Sequence, residues 1–365
     1  MRIALFYHSL LSDWNHGNAH FLRGIAGELL SRGHSVRVYE PEGGWSLRHL
    51  LAEQGPTPLR LFRAQYPRLT SSPYHLESLD LDEVLDGVDL VIVHEWNDPE
   101  LVCRVGEHRR RSRYILLFHD THHRAASSPQ AMADFRLEDF DGVLAFGEAV
   151  RQIYLRQGWG RRAWTWHEAA DTRVFFPREG EAREGDLIWI GNWGDGERSA
   201  ELNEFLLEPA KALGLRGRAF GVRYPPQALD DLARSGIDYG GWLANFEVPR
   251  FLARFALTLH IPRRPYVQAL PGIPTIRVFE ALACGIPLIC SPWEDREGIF
   301  RPGRDYLLAR NGREMESHLR RLLAEKETAA ALVRHGLDAI RERHTCAHRV
   351  NELFEICREL GMWPK

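Results

Sequence analysis

The chain has 365 residues, 44% hydrophobic and 27% charged, the balance of a folded globular protein rather than a disordered or fibrous one. That length exceeds what one hydrophobic core usually serves, so two domains are expected. Lys and Arg number 47 against 50 Asp and Glu, a formal charge of -3 with histidines neutral, which excludes the broad positive field of a nucleic-acid-binding protein.

In chain order, the opening MRIALFYHSL carries one basic residue, and its apolar run is broken at Tyr7, His8 and Ser9. It reads as a first strand and not as a secretory leader. Further short β-rich runs follow at Ser35 to Glu40, Leu90 to Glu95, Tyr114 to Asp120 and Gly142 to Gly147, separated by helix-length segments such as HFLRGIAGELLSRG. Runs this apolar between helical patterns predict parallel strands covered on both faces. After the charged stretch Pro177 to Asp186 the pattern restarts with DLIWIGNWG, RAFGV, DYGGW, FALTLHI and IPLICS, which predicts a second sheet of the same kind. The last segments, MESHLRRLLAEKE, AAALVRHGLDAIRERH and CAHRVNELFEICREL, have apolar residues at helical spacing. The best uncharged run, LVIV, is far short of the ~20 residues that span a bilayer. The five cysteines, Cys103, Cys284, Cys290, Cys346 and Cys357, form no Cys-x-x-Cys pair and are odd in number, the usage of a reducing compartment, so a cytoplasmic location is expected. Two α/β domains place ligands at the carboxyl ends of their strands, in a cleft between them.

The most informative stretch is ALPGIPTIRVFEALACGIPLIC, Ala269 to Cys290. Pro271 and Pro274 keep the entry extended, Thr275 is placed to cap, Ile276 to Ala283 reads as helix, and Gly285 ends it. A helix start of this kind stabilises an anion, and Arg277 in the first turn adds a charge-assisted partner for phosphate. Glu280, one turn on, suits acceptance from vicinal sugar hydroxyls. IGNWGDGER, Ile190 to Arg198, reads as a strand followed by a glycine turn in which Gly191, Gly194 and Gly196 permit positive φ and close backbone approach to a phosphate.

These segments resemble glycosyltransferases of the GT-B type, within them the group similar to the spore-maturation protein CgeB. The matching pieces are SLLSDWNHGNAHFLRGI, AADTRVFFP, IGNWGDGERSAEL, the stretch from GWLANFEVP through FEALACG, and the tail from GREMESHL to HTCAHRV, nearly the whole chain. The resemblance implies an α/β fold of GT-B architecture, two Rossmann-like doubly wound domains facing a central cleft. It implies an acceptor-binding domain over residues 1–170, a nucleotide-sugar-binding domain over 171–343, and a C-terminal helical segment over 344–365 crossing back to the first domain. Carried over by position, Glu280 holds donor hydroxyls, Arg198 reaches the diphosphate with Gly191 and Asn192 beside it, and Trp242 and Leu243 wall the nucleotide base. Retaining relatives often carry a glutamate eight residues before Glu280, where this chain has Gly272. The implied reaction is metal-independent transfer of a sugar from a nucleoside-diphosphate sugar, a co-substrate rather than a bound cofactor, to an acceptor hydroxyl. A nucleotide-sugar 2-epimerase and a non-catalytic nucleotide-sugar-binding module are the rival readings.

On the acceptor side, the loop Asp13 to Ala19 carries Gly17 and Asn18 before a helix with His20 in its first turn, and lacks the GxGxxG fingerprint that would make Glu40 the ribose acid of an NAD site. His119 and Asp120 end a buried strand. Either could act as general base on the acceptor, with His94 and Glu95 in similar strand-end positions. His119, His122 and His123 lack the spacing of a zinc site, and Asp80-Leu81-Asp82 reads as the acidic start of a helix, so no metal is expected. The basic run His108 to Arg113 reads as a solvated helix end, or, with Arg161 and Arg162, as a peripheral contact with acidic lipid or an anionic acceptor. Trp14, Trp45, Trp96 and Trp193 are predicted in loops, where an aromatic face can stack on a sugar.

Overall fold

The computed structural model describes residues 1–361, so the last four residues of the expected C-terminal helical segment lie outside the described residues. The chain forms two compact units, the first made of Met1–Glu168 with Cys346–Lys365, the second of Ala169–Thr345.

The first unit is built on seven parallel strands: β1 (Arg2–Phe6), β2 (Ser35–Pro41), β3 (Ser71–Tyr74), β4 (Leu90–His94), β5 (Ile115–Asp120), β6 (Gly142–Ala145) and β7 (Ala163–Thr165). They lie in the order β3-β2-β1-β4-β5-β6-β7. Every residue of β4 and β5 is buried, which is why these strands read as continuous apolar runs rather than alternating ones. The helices between them are α1 (Ala19–Ser31), α2 (Trp45–Gln54), α3 (Thr57–Gln65), α4 (Leu81–Val84), α5 (Pro99–Arg109), α6 (Arg124–Ser127), α7 (Pro129–Met132) and α8 (Glu148–Gln157). Asp80 caps α4, its carboxylate accepting from the N–H groups of Asp82 and Glu83, as the acidic start predicted. Trp45, expected in a loop, is the first residue of α2, because Gly44 ends the preceding turn in extended conformation and frees the helix to begin there.

The second unit carries β8 (Gly185–Ile190), β9 (Gly217–Phe220), β10 (Ile237–Tyr239), β11 (Phe255–His260), β12 (Leu288–Cys290) and β13 (Leu307–Leu308) in the order β10-β9-β8-β11-β12-β13, paired in parallel. Its helices are α9 (Ser199–Leu202), α10 (Glu208–Leu213), α11 (Pro226–Arg234), α12 (Val248–Leu252), α13 (Arg264–Ala269), α14 (Ile276–Cys284), α15 (Gly312–Ala324) and α16 (Lys326–Arg343). Leu187, Trp189, Phe205, Leu257 and Ile289 belong to its buried core. Among the described residues no helix is long and apolar enough to cross a membrane.

In both sheets the strand order reverses once, between β1 and β4 and between β8 and β11. At such a switch the connections leave to opposite faces of the sheet and open a crevice at the carboxyl ends.

The final helix, α17 (Cys346–Glu359), belongs to the first unit, packs on α1 and buries Val350, Leu353, Ile356 and Cys357, an apolar stripe at helical spacing. Two long-range bonds seat it: Trp166 donates its indole N–H to the Arg349 carbonyl at 2.9 Å, and Arg349 Nε donates to the His167 carbonyl at 2.9 Å. Truncation after Thr345 is expected to cost the first unit roughly 6 kcal/mol or more, taking ~1.5 kcal/mol for each of those four apolar side chains. Amide exchange checks this. α1 should lose protection while α14 keeps its own, and unchanged protection in α1 would refute the packing role.

Candidate functional site

The glycine turn after β8 and the connection after β11 meet at the switch point of the second sheet. Gly194 and Gly196 have φ of +96° and +85°, and Asp195 between them also lies in the left-handed region at +52°. Three such residues in a row make a tight turn, closed by the Glu197 N–H donating to the Gly194 carbonyl at 2.9 Å. Gly191 serves differently from the expectation. Its φ is not positive, and what it supplies is room, since a Cβ there would sit 2.7 Å from the Trp189 ring.

Arg198 closes this turn. Its guanidinium donates to the Ile261 carbonyl at 2.9 Å and to the Asn192 carbonyl, and lies over the Trp189 ring at 5.1 Å. Burial, and then the neighbouring Arg263 and Arg277, lower its pKa to about 10. Arg198, Arg263 and Arg277 thus lie near enough to repel one another, and Glu197 and Glu280 pair with the last two. Arg263, absent from the sequence prediction, reaches Glu197 at 3.1 Å. Arg264 bonds the Glu197 and Gly196 carbonyls, stapling the start of α13 to the glycine turn. The signal for both was the Arg-Arg pair directly after a predicted strand.

α14 starts where the sequence placed it, but Thr275 does not cap it. Its hydroxyl is 3.1 Å from His260 Nε2 and makes no side-chain cap bond, so the first-turn N–H groups are left without that partner. Glu280 is buried, and its two oxygens are taken: Oε1 accepts from the Asn245 amide at 2.7 Å and Oε2 pairs with Arg277. The carboxylate predicted to hold sugar hydroxyls thus fixes Arg277 on the first turn of α14 and ties down the segment after Trp242 and Leu243, both half-buried. Gly272 has φ +97°, and a Cβ on it would lie 3.2 Å from the Glu297 side chain.

At the carboxyl ends of β1, β4 and β5 the first unit gathers a second polar group. His94 and His119 are register partners on adjacent strands. Tyr7, just past β1, has its hydroxyl 2.7 Å from His119 Nδ1, while His119 Nε2 is buried without a partner. Asp120 is fully engaged, its Oδ1 accepting from the His122 N–H at 2.9 Å and its Oδ2 from the Tyr154 hydroxyl at 2.8 Å. Glu95 pairs with Arg124, whose guanidinium also donates to the Glu95 carbonyl at 2.8 Å and stacks over Trp96 at 4.1 Å. Burial raises the Glu95 pKa and the nearby Asp120 carboxylate raises it further, while Arg124 opposes both. Burial lowers His119 to about 3, and it lowers His8 and His94 well below the ordinary histidine value. These rings are therefore neutral at pH 7.

Gly17, Asn18 and His20 shape the entry to this group. His20 N–H donates to the Gly17 carbonyl at 3.2 Å, and the Asn18 amide donates to the Thr121 hydroxyl, which also lies 3.0 Å from His94 Nε2. Glu40 is no ribose acid. Its carboxylate accepts from the Leu10 N–H at 2.6 Å and so holds the loop after β1 in place. Tyr7, His8, His16, Arg124 and Tyr154 escaped the sequence reading. Tyr154 left no signal at all, since nothing on α8 announces that it meets β5. No group of three or more His, Cys, Asp or Glu among the described residues is arranged to hold a metal ion.

The basic run after α5 is largely neutralised: Arg109 pairs with Asp141 at 3.2 Å, Arg110 with Asp139 at 2.8 Å and Arg111 with Asp82 at 2.8 Å. Trp14 is buried with its indole N–H on Glu53 at 2.8 Å, and Trp193 is buried in the second core, so neither presents a face to a sugar.

Residues 198–355 match the family model described as glycosyl transferase-like. No curated protein sequence matches the chain. Several solved structures share its fold over almost the full length. The sucrose-phosphate synthase of Thermosynechococcus elongatus has 13% identity and a TM-score of 0.67, with 99% of each chain covered. HepE of Anabaena, solved with UDP and glucose, has 14% identity and a TM-score of 0.70, covering 98% of this chain and 99% of its own. The T4 phage β-glucosyltransferase, solved with its UDP-glucose substrate, has 13% identity and a TM-score of 0.63, covering 99% and 100%. The fold is that of the GT-B enzymes, two parallel α/β units of Rossmann-like kind.

Proposed function

We propose that this chain is a glycosyltransferase, of the CgeB-like kind, that moves a sugar from a nucleoside-diphosphate sugar to an acceptor hydroxyl. The observation that carries the reading is the cationic group at the switch point of the second sheet, where Arg198, Arg263 and Arg277 converge beside the uncapped start of α14. Cleavage of the donor's glycosidic bond leaves its electron pair on the terminal phosphate oxygen, adding one negative charge to a diphosphate that already carries two. Fixed guanidinium groups and a helix terminus oppose that charge without reorganising. Arg198, engaged on two carbonyls, shapes the glycine turn around Gly191 and Asn192. Arg277, held by Glu280, and Arg263 supply the charge, and Trp242 and Leu243 wall the base. The UDP complexes of HepE and of the phage enzyme support a nucleotide-sugar donor.

On the acceptor side His119 is the base, because its Nε2 is the polar atom left over once Tyr7 has taken Nδ1. In the tautomer with the proton on Nδ1, donated to the Tyr7 oxygen, Nε2 carries the lone pair that accepts the hydroxyl proton. Asp120, satisfied by Tyr154 and His122, adds a negative field that favours the imidazolium as it forms.

Calorimetry with UDP, GDP and dTDP in EDTA tests the donor site. At least one is expected to bind the native protein, and the double substitution Arg198→Ala with Arg277→Ala should weaken it by at least about a hundredfold, at ~1.5 kcal/mol or more per charged hydrogen-bond partner. Undiminished affinity in that variant would remove the proposed phosphate site. Conversion of the donor with no acceptor present would point to a 2-epimerase instead.

A further inference from the structure

The helical hairpin α2–α3 of the first unit presents an outward surface, at whose start one side of the Trp45 ring meets Trp14, His16 and His49. Its inner residues, Ser46 and Leu50 on α2 and Pro58 and Phe62 on α3, are buried. Seven large hydrophobic side chains are exposed among the described residues, and three of them fall on this hairpin: Trp45 at 41%, Leu51 at 36% and Leu61 at 45%. At 100° per residue, Trp45, Arg48, Leu51 and Ala52 share one arc of α2, and Arg60, Leu61, Arg63 and Ala64 share the outer arc of α3, all of them exposed. Arg60 donates only to the Thr57 hydroxyl, at 3.0 Å, and none of Arg48, Arg60 and Arg63 forms an ion pair among the described residues. The basic run at the end of α5, read from sequence as a solvated helix end or alternatively a lipid contact, is spent on acids.

We infer that the outward face of the α2–α3 hairpin docks on an anionic lipid bilayer, with Trp45, Leu51 and Leu61 entering the interface and Arg48, Arg60 and Arg63 meeting the headgroups. Unpaired guanidinium groups interleaved with exposed apolar side chains on short helices suit that surface. The apolar residues gain burial at the acyl boundary, and the arginines keep their heads at headgroup level through long apolar stems. A protein partner would need acidic residues at the spacing of three arginines, whereas an anionic leaflet offers negative charge at every position. The inference does not depend on the transferase reading, and its test reads no activity.

Flotation with vesicles of phosphatidylcholine alone and with about one third phosphatidylglycerol separates the outcomes. The full chain is expected to float with the anionic vesicles only, less so as salt rises. Both the triple substitution Arg48→Gln, Arg60→Gln, Arg63→Gln and the double substitution Trp45→Ser, Leu61→Ser should lower partitioning about tenfold or more, at ~1 kcal/mol per arginine near the surface. The changes are on exposed atoms, and circular dichroism with melting confirms that both variants are folded. Arg161→Gln with Arg162→Gln should leave partitioning unchanged. No binding by the native chain, equal binding by both hairpin variants, or loss only in the Arg161 and Arg162 variant would each overturn the inference. So would a native dimer in size-exclusion chromatography that the Trp45 and Leu61 changes dissolve without any vesicle binding, since it would assign this face to a second copy.

Discussion

His119→Gln is expected to bind the nucleotide-sugar donor with native affinity and to lose about a hundredfold in turnover, the lower range for a positioned base. The residues proposed to hold the donor belong to the second unit, and His119 belongs to the first. Glutamine keeps a hydrogen-bonding group near the Tyr7 hydroxyl but carries no imidazole to accept the acceptor's proton. Asp120→Asn offers a contrasting measurement. It retains an acceptor for the Tyr154 hydroxyl and removes the charge, so it should slow turnover through the field rather than by removing the base. It should also let Glu95 lose its proton at lower pH, because the like charge that raised it is gone. Single-turnover rates with the acceptor, set beside donor affinity from calorimetry, read both effects. Native rates in both variants would move the base elsewhere, or make the enzyme a retaining one that uses no protein base.

Acidification should unfold the first unit before the second. His8, His16, His34, His94 and His119 in the first unit are all lowered by burial, His16 to about 4 and His119 to about 3, whereas in the second unit His260 is lowered, to about 3. A histidine held neutral in the fold takes up its proton only on unfolding. Its contribution is therefore fully present above the ordinary value near 6.5 and is lost as pH falls below it, at about 1.4 kcal/mol per pH unit and per group. Glu40, Glu95 and Asp120 oppose this. Their raised values contribute stability at low pH that is lost as pH rises through the folded titration, so over the acid side of neutrality they offset part of the histidine effect. The lowered histidines outnumber them, so the first unit is expected to lose stability as pH falls below about 6. Amide exchange of β4 and β5 against β8 and β11, compared between pH 7 and pH 5, measures it. His94→Gln should flatten the slope, and a first unit equally stable at both values would refute the balance.

Much of the architecture is legible in the order of the residues. LVIVH and ILLFHD are apolar at consecutive positions because both faces of a parallel sheet are covered, and such runs need no distant information to recognise. The start of α14 is equally plain from two prolines, a threonine and a terminating glycine, and Arg277 follows from its place in the first turn. The roles of side chains are harder. Glu280 reads as a sugar ligand from its position, and only the fold shows Asn245, 35 residues earlier, holding one of its oxygens. Thr275 reads as a cap, and the fold gives its hydroxyl to His260 instead.

The sequence by itself therefore determined the two parallel sheets, the order of their elements and the helix start that can meet an anion, because periodicity, turn residues and capping are interactions between near neighbours. The tertiary structure alone decided that Tyr154 of α8 satisfies Asp120 of β5, that Arg124 pairs with Glu95, and that Arg109, Arg110 and Arg111 are neutralised while Arg48, Arg60 and Arg63 are left exposed. Desolvation and pairing energies depend on distances of a few ångströms between groups tens of residues apart, and that dependence has no period along the chain. The protonation of the His119 group and the site of contact with a lipid surface are both set at that level.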